Sequence, residues 1–89
     1  MNSVGSKRFW DCFDALPDDV QQHARNAYRL WRSDPFHQSL QFKRLRARLP
    51  IFSVRIGLHW RALGVQEGDT VVWFWIGSHA DYDNLLRRL

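Results

Sequence analysis

The run TVVWFWIG, residues 70 to 77, constrains this chain more than any other stretch. It is too short to cross a bilayer, and Val71 to Ile76 leave neither face of a strand polar. Its β-branched and aromatic residues suit burial, so the spacing predicts a central strand or one covered on both sides. Gly77 closes the run, and Ser78 and Asp81 then stand at the spacing of a helix capping box, with Asp where Glu or Gln is usual. Tyr82, Leu85, Leu86 and Leu89 give the following short helix one apolar stripe. His79 lies at this junction between a buried strand and a helix.

Upstream, Ser6 is placed to cap a helix carrying Phe9, Trp10, Phe13 and Leu16, which ends at LPDD. Pro17, Asp18 and Asp19 suit the first turn of a second helix, whose stripe is Val20, Ala24, Ala27, Tyr28 and Trp31. SDP at residues 33 to 35 stops it, because a residue before proline avoids the α region. From Leu40 the period becomes two: Leu40 and Phe42, then Phe52, Val54 and Ile56, alternate with polar or small residues. A turn at residues 57 to 59 and another at QEGD, residues 66 to 69, connect three strands into an antiparallel meander. MNSVGSKRFW at the amino terminus offers little to pair in a sheet.

Eighty-nine residues without a linker-like break predict one domain over residues 1–89, and 45% hydrophobic content supports a core without disulfides or metal. Cys12 is the sole cysteine, and the start lacks the apolar segment of a signal peptide, so a cytoplasmic protein with no membrane association is expected. Cys12 itself falls in an apolar helical stretch and reads as packing. His23, His37, His59 and His79 show no metal-type spacing, so neither a metal nor another cofactor is expected. The formal charge is +4 and it is concentrated: Lys43, Arg44, Arg46, Arg48, Arg55 and Arg61 occur between Phe42 and Arg61 without one acid. Such a block favours a polyanionic partner.

If the turn at 57 to 59 pairs Ile56 with Trp60, Arg55 and Arg61 stand opposite each other on one sheet face. Like charges so placed repel, which an anion between them would offset, and guanidinium forks suit phosphate. Lys43, Arg44, Arg46 and Arg48 extend the positive surface. The plainer alternative is that the arginines lay their stems on tryptophan with their heads in water. His79 is the nearby residue type suited to proton transfer near neutral pH, although a histidine at a helix start also serves as a solvated residue. Trp73 and Trp75, two apart on a strand, are expected to share a face as core.

The series DPFHQSLQFKRL, FSVRIGLHWRAL and VVWFWIGSHADYDNLL, after two helices, resembles the RelE/ParE toxin superfamily of bacterial toxin–antitoxin pairs, nearest its compact ParE-like branch. The resemblance runs from about Phe9 to Leu86 and rests most on VRIGLHWRAL coupled to WFWIGSHADYD. It implies an α+β fold: an N-terminal helical hairpin packed on a twisted antiparallel sheet of three to four strands, with a short C-terminal helix. It further implies, for the RNA-cleaving members, metal-independent cleavage of messenger RNA in the ribosome. On that pattern Arg61 is the phosphate-stabilising arginine, Arg55 its basic companion, and His79 stands where many relatives carry another arginine. Two departures stand out: Ile51 and Ser53 occupy the positions of the strand lysines, and Tyr82 is the nearest counterpart of the C-terminal tyrosine.

The first function expected is a ribosome-dependent mRNA endoribonuclease acting through Arg55, Arg61 and His79; the alternatives are a non-catalytic toxin that inhibits DNA gyrase and a degenerate, non-toxic relative that binds RNA or protein. The resemblance implies a cognate antitoxin as partner, an acidic amphipathic segment expected on the open sheet face or in a groove beside the hairpin.

Overall fold

The computed structural model describes residues 1–88. Five strands form one sheet: β1 (Asn2–Gly5), β2 (Lys43–Arg44), β3 (Ile51–Ile56), β4 (Trp60–Glu67) and β5 (Thr70–Ser78), in the order β1-β5-β4-β3-β2. Three helices accompany them: α1 (Lys7–Asp14), α2 (Asp18–Ser33) and α3 (His79–Leu86). β2 to β5 are antiparallel neighbours, as the meander predicts. The architecture is α+β, a helical hairpin on a sheet with a short C-terminal helix, but the sheet is mixed and has five strands.

The additional strand corrects the reading of the amino terminus. β1 pairs parallel with β5, from Asn2 opposite Thr70 to Gly5 opposite Trp73. β5 is apolar on both faces, so leaving its second edge open would put unpaired backbone groups beside its most hydrophobic residues. β1 fills that edge with main chain, and its side chains carry no strand signal. At Gly5 an added Cβ would come 2.7 Å from Trp10 Nε1, so the indole packs directly on the strand end.

The helical hairpin is built as its sequence dictates. Ser6 Oγ accepts from the Phe9 N–H at 3.2 Å, and Asp18 and Asp19 occupy the first turn of α2. The Gln21 side-chain amide donates to the Phe13 and Leu16 carbonyls, which satisfies the end of α1 and ties the two helices together. Phe13, Ala24 and Trp31 face Val54, Ala62, Val71, Trp73 and Ile76 across the first core. Trp31 is 2% exposed and meets Phe42 and Trp73 edge-on, with centroids 5.7 and 5.3 Å away. Leu40 and Phe42 are both buried, yet Leu40 lies in a 3-10 turn at Gln38–Leu40, and β2 is only two residues long. Gln41, with φ of 45°, breaks the alternation between them.

Trp73 and Trp75 do not share a face. Leu63 pairs with Trp75 but the next residue, Gly64, pairs with Trp73, so Phe74 is an extra residue on β5 and forms a bulge. Trp73 therefore joins the first core, and Trp75 joins Ile51, Leu63 and Tyr82 in a second core on the opposite face. Leu45, Ala47, Leu85 and Leu86 close that second core, and α3 lies over it. Leu89, the last residue of the predicted stripe, lies outside the described residues.

Each tryptophan rests on a glycine. A Cβ at Gly64 would come 2.9 Å from Trp73 Cε3, and one at Gly77 would come 2.6 Å from Trp75 Cζ2. Gly77 thus sits within β5, where its missing side chain is the seat of a ring. Gly64→Ala and Gly77→Ala should each destabilise the fold by about 1–3 kcal/mol through overpacking, measured by urea unfolding followed by tryptophan fluorescence.

Candidate functional site

The second face of the sheet ends in a polar cluster above its small core. Ile56 pairs with Trp60, so Arg55 and Arg61 stand directly opposite in register, as the turn predicts. Their side chains then part. Arg55 Nε donates to the Gly57 carbonyl at 2.9 Å, toward the hairpin tip. The Arg61 guanidinium carbon lies 5.6 Å from the centroid of Tyr82, and Arg61 Nη2 donates to Gln41 Oε1 at 3.2 Å. Its Nη1 is buried and makes no hydrogen bond among the described residues.

No carboxylate of the described residues lies within ion-pair distance of Arg61. The ion pairs are Lys7 with Asp11 and His79 with Asp83, both elsewhere on the chain's polar surface or on α3 itself. Arg61 is thus fixed by an aromatic face and a neutral amide, both of which orient the guanidinium without cancelling its charge. A partly buried cation without a counter-charge is costly, and an incoming anion recovers that cost.

α3 places the remaining groups. Ser78 Oγ accepts from the Asp81 N–H at 3.1 Å and caps the helix, as the sequence pattern predicts. His79 is exposed at the first turn, its ring centroid 5.8 Å from that of Tyr82 and its Nε2 3.5 Å from Asp83 Oδ2. Tyr82 is 5% exposed and lies 6.5 Å from Trp75, so it belongs to the second core, and its ring is also the neighbour of both Arg61 and His79. Its helical spacing with Leu85 and Leu86 signals that packing role.

The basic segment reaches the same face. Leu45 and Ala47 pack on the second core while Arg44, Arg46 and Arg48 remain exposed, so residues 44 to 48 form a basic ridge held down by alternate apolar side chains. Lys43 pairs with Ser53 and so lies on the Arg61 face, whereas Arg44 pairs with Phe52 and lies on the helix side of this edge; both are exposed. Ile51 and Ser53 of β3 are 5% and 0% exposed, and the Ser53 hydroxyl is buried with no hydrogen-bond partner among the described residues. Positive charge therefore rims this face instead of occupying its centre.

Two contributors escaped the sequence reading. Gln41 carries no motif, and its role depends on the left-handed backbone that aims its amide at Arg61. His59 is brought to the junction by strand pairing, its carbonyl accepting the His79 N–H at 2.7 Å. The first placement follows from the 3-10 turn and the second from the pairing of β4 with β5, and no local pattern encodes either.

A family model for the ParE-like toxin domain matches residues 18–84, most of the chain and all of the cluster just described. The chain belongs to the ParE-like toxin family. Among solved structures, the RelB–RelE antitoxin–toxin complex from Methanococcus jannaschii is similar at 13% identity and a TM-score of 0.73, over 92% of this chain and 96% of that one. YafQ from E. coli matches at 9% identity and 0.72, over 91% and 96%. The isolated RelE toxin from E. coli matches at 12% identity and 0.67, over 99% and 98%. No curated protein matches by sequence. These likenesses place the fold in the RelE/ParE superfamily.

In this ParE-like toxin domain the ring of Tyr82 rather than its hydroxyl is what Arg61 and Trp75 contact. Tyr82→Phe should therefore keep stability within about 1 kcal/mol, whereas Tyr82→Ala should cost about 3–5 kcal/mol. Thermal and urea unfolding of the two variants side by side distinguish the roles.

Proposed function

We propose that this ParE-like toxin domain is the toxin of a type II toxin–antitoxin pair and acts as a ribosome-dependent mRNA endoribonuclease. The observation that supports it is Arg61: a positioned guanidinium with no acid beside it among the described residues, sharing the Tyr82 ring with an exposed histidine, on a face whose β2 edge carries Lys43, Arg44, Arg46 and Arg48. In such cleavage the ribose 2′-oxygen attacks the adjacent phosphorus while a base takes its proton. The bond to the 5′-oxygen breaks, that oxygen receives a proton, and the products are a 2′,3′-cyclic phosphate and a 5′-hydroxyl.

Arg61 stabilises the charge that grows on the phosphoryl oxygens, and its preset geometry saves reorganisation at the moment of reaction. His79 is one proton-transfer group, held near the site by the capped start of α3. His59, joined to it through the backbone, supplies a second imidazole at the same end of the sheet. The ridge from Lys43 to Arg48 binds RNA backbone. These groups carry the chemistry through protein side chains, with no cofactor in the scheme.

The partner reading rests on the other face. Between β1, α1 and α2 lies an apolar cleft of about 370 Å³, lined by Val4, Trp10, Phe13 and Tyr28 with Arg25 and Arg29 at its rim. Trp10 and Tyr28 are 50% and 38% exposed there. An acidic amphipathic antitoxin segment fits this combination of apolar seat and cationic rim.

Induction of the wild type in growing bacteria should arrest growth and create new mRNA 5′ ends in translated frames. Arg61→Ala should lower cleavage by about 10²–10³-fold and His79→Ala by about 10²–10⁴-fold, with the folds intact by circular dichroism. The burial of Ile51 and Ser53 favours a second, non-catalytic reading, since the centre of this face carries no lysine. Arrest with intact mRNA, accompanied by gyrase inhibition, would establish that alternative. Absence of arrest would mark a relative that has lost toxicity.

A further inference from the structure

The parting of Arg55 from Arg61 leaves a second basic position unexplained. β2 pairs with β3 only at Ser53 and Phe52, so the edge of β3 from Val54 to Ile56 has no strand beside it. Arg55 lies at that open edge. It lines a hollow of about 410 Å³ on the helix side of the sheet together with His23 and Asn26 of α2, Ser39 of the 3-10 turn, and Leu58 at the hairpin tip. None of the side chains lining this hollow is acidic, and Arg55 forms no ion pair among the described residues.

The polar atoms there are mostly donors. Arg55 Nε is used on the Gly57 carbonyl, which pins the side chain and leaves its two terminal amino groups for another acceptor. Asn26 Oδ1 accepts from both Gln22 Nε2 at 3.1 Å and Arg29 Nη1 at 2.8 Å, which fixes the amide so that Nδ2 is the free end. A pinned guanidinium and an amide N–H₂, with an imidazole beside them, match the oxygens of a phosphate group.

We propose that Arg55, Asn26 and His23 form a second phosphate subsite, which takes a neighbouring backbone phosphate of the RNA strand held at Arg61. The strand then passes around the open edge of β3, from the Arg61 face to the α2 side. Arg55 is on this assignment a binding residue, not a partner of Arg61 at the scissile phosphate. The inference rests on the RNA-directed reading above but not on cleavage.

The test uses a 2′-O-methyl oligoribonucleotide, which cannot be cleaved, titrated into the full chain by fluorescence anisotropy at several salt concentrations. Arg55→Ala should weaken binding several-fold and reduce the salt slope by about one. Asn26→Asp puts a carboxylate in the hollow and should weaken binding at least tenfold. Asn2→Asp, the same change in β1 at the opposite edge of the sheet and outside the hollow, should have a much smaller effect. In a side-chain NMR spectrum, the Asn26 amide should shift on titration in the wild type and not in Arg55→Ala.

Equal effects of Asn26→Asp and Asn2→Asp, or an Asn26 amide that does not shift, would overturn the subsite. Wild-type chain that fails to bind the oligonucleotide would overturn it as well. Binding with the expected variant pattern but without mRNA cleavage in cells would sustain the subsite and remove the nuclease reading, so the two failures are separable.

Discussion

One extra residue in β5 sets up both sides of this molecule. In a regular strand Trp73 and Trp75 would face the same way, and the α1–α2 layer would have to bury two indoles. The bulge at Phe74 turns Trp75 to the opposite face, where it lies over Gly77 and meets Tyr82. Without that indole the second face would lack the anchor on which α3 packs. Tyr82, and through it the placement of Arg61 and His79, depends on where Trp75 goes.

The same bulge explains why glycine occurs where it does in β4 and β5. Gly64 receives Trp73 on one face and Gly77 receives Trp75 on the other, so two large rings are seated against backbone at two positions that oppose the helices and α3 respectively. Large side chains bury much apolar area in a chain this small, and seating them on glycine keeps the two layers thin. The first core is the larger, with Trp31, Phe42 and Trp73 in mutual edge-on or tilted contact. The second is small and is closed by one short helix, which makes the end of the sheet that carries Arg61 and His79 the less deeply packed half.

Much of this was legible in the residues, and the illegible parts have definable causes. The helical hairpin, the Ser78 cap, the Ile56 to Trp60 pairing and the opposition of Arg55 and Arg61 follow from local periodicity and turn residues. β1 was not legible, because Asn2 to Gly5 pair through main chain with a strand whose need for a neighbour is the real signal. The faces of Trp73 and Trp75 were inverted by a bulge that leaves no mark in an alternating pattern. The candidate site shows the same division: the types Arg61, Arg55 and His79 stand out, whereas Gln41 enters through a left-handed backbone at the end of the 3-10 turn and His59 through strand pairing.

Gln41 is the point where backbone and electrostatics meet. Its left-handed conformation, at φ 45° and ψ 43°, costs a residue with a Cβ about 1–2 kcal/mol, and glycine or asparagine would be the ordinary choice. Asparagine would satisfy the backbone but has a shorter side chain, and glycine has none with which to meet Arg61. A glutamate would reach, yet its charge would pair with the guanidinium and remove the positive potential from the face. A neutral amide of this length is the side chain that both holds the guanidinium at 3.2 Å and leaves its charge uncancelled. The strain at Gln41 thus goes with an arginine that has no acid beside it among the described residues, a cation fixed in place with its charge uncancelled.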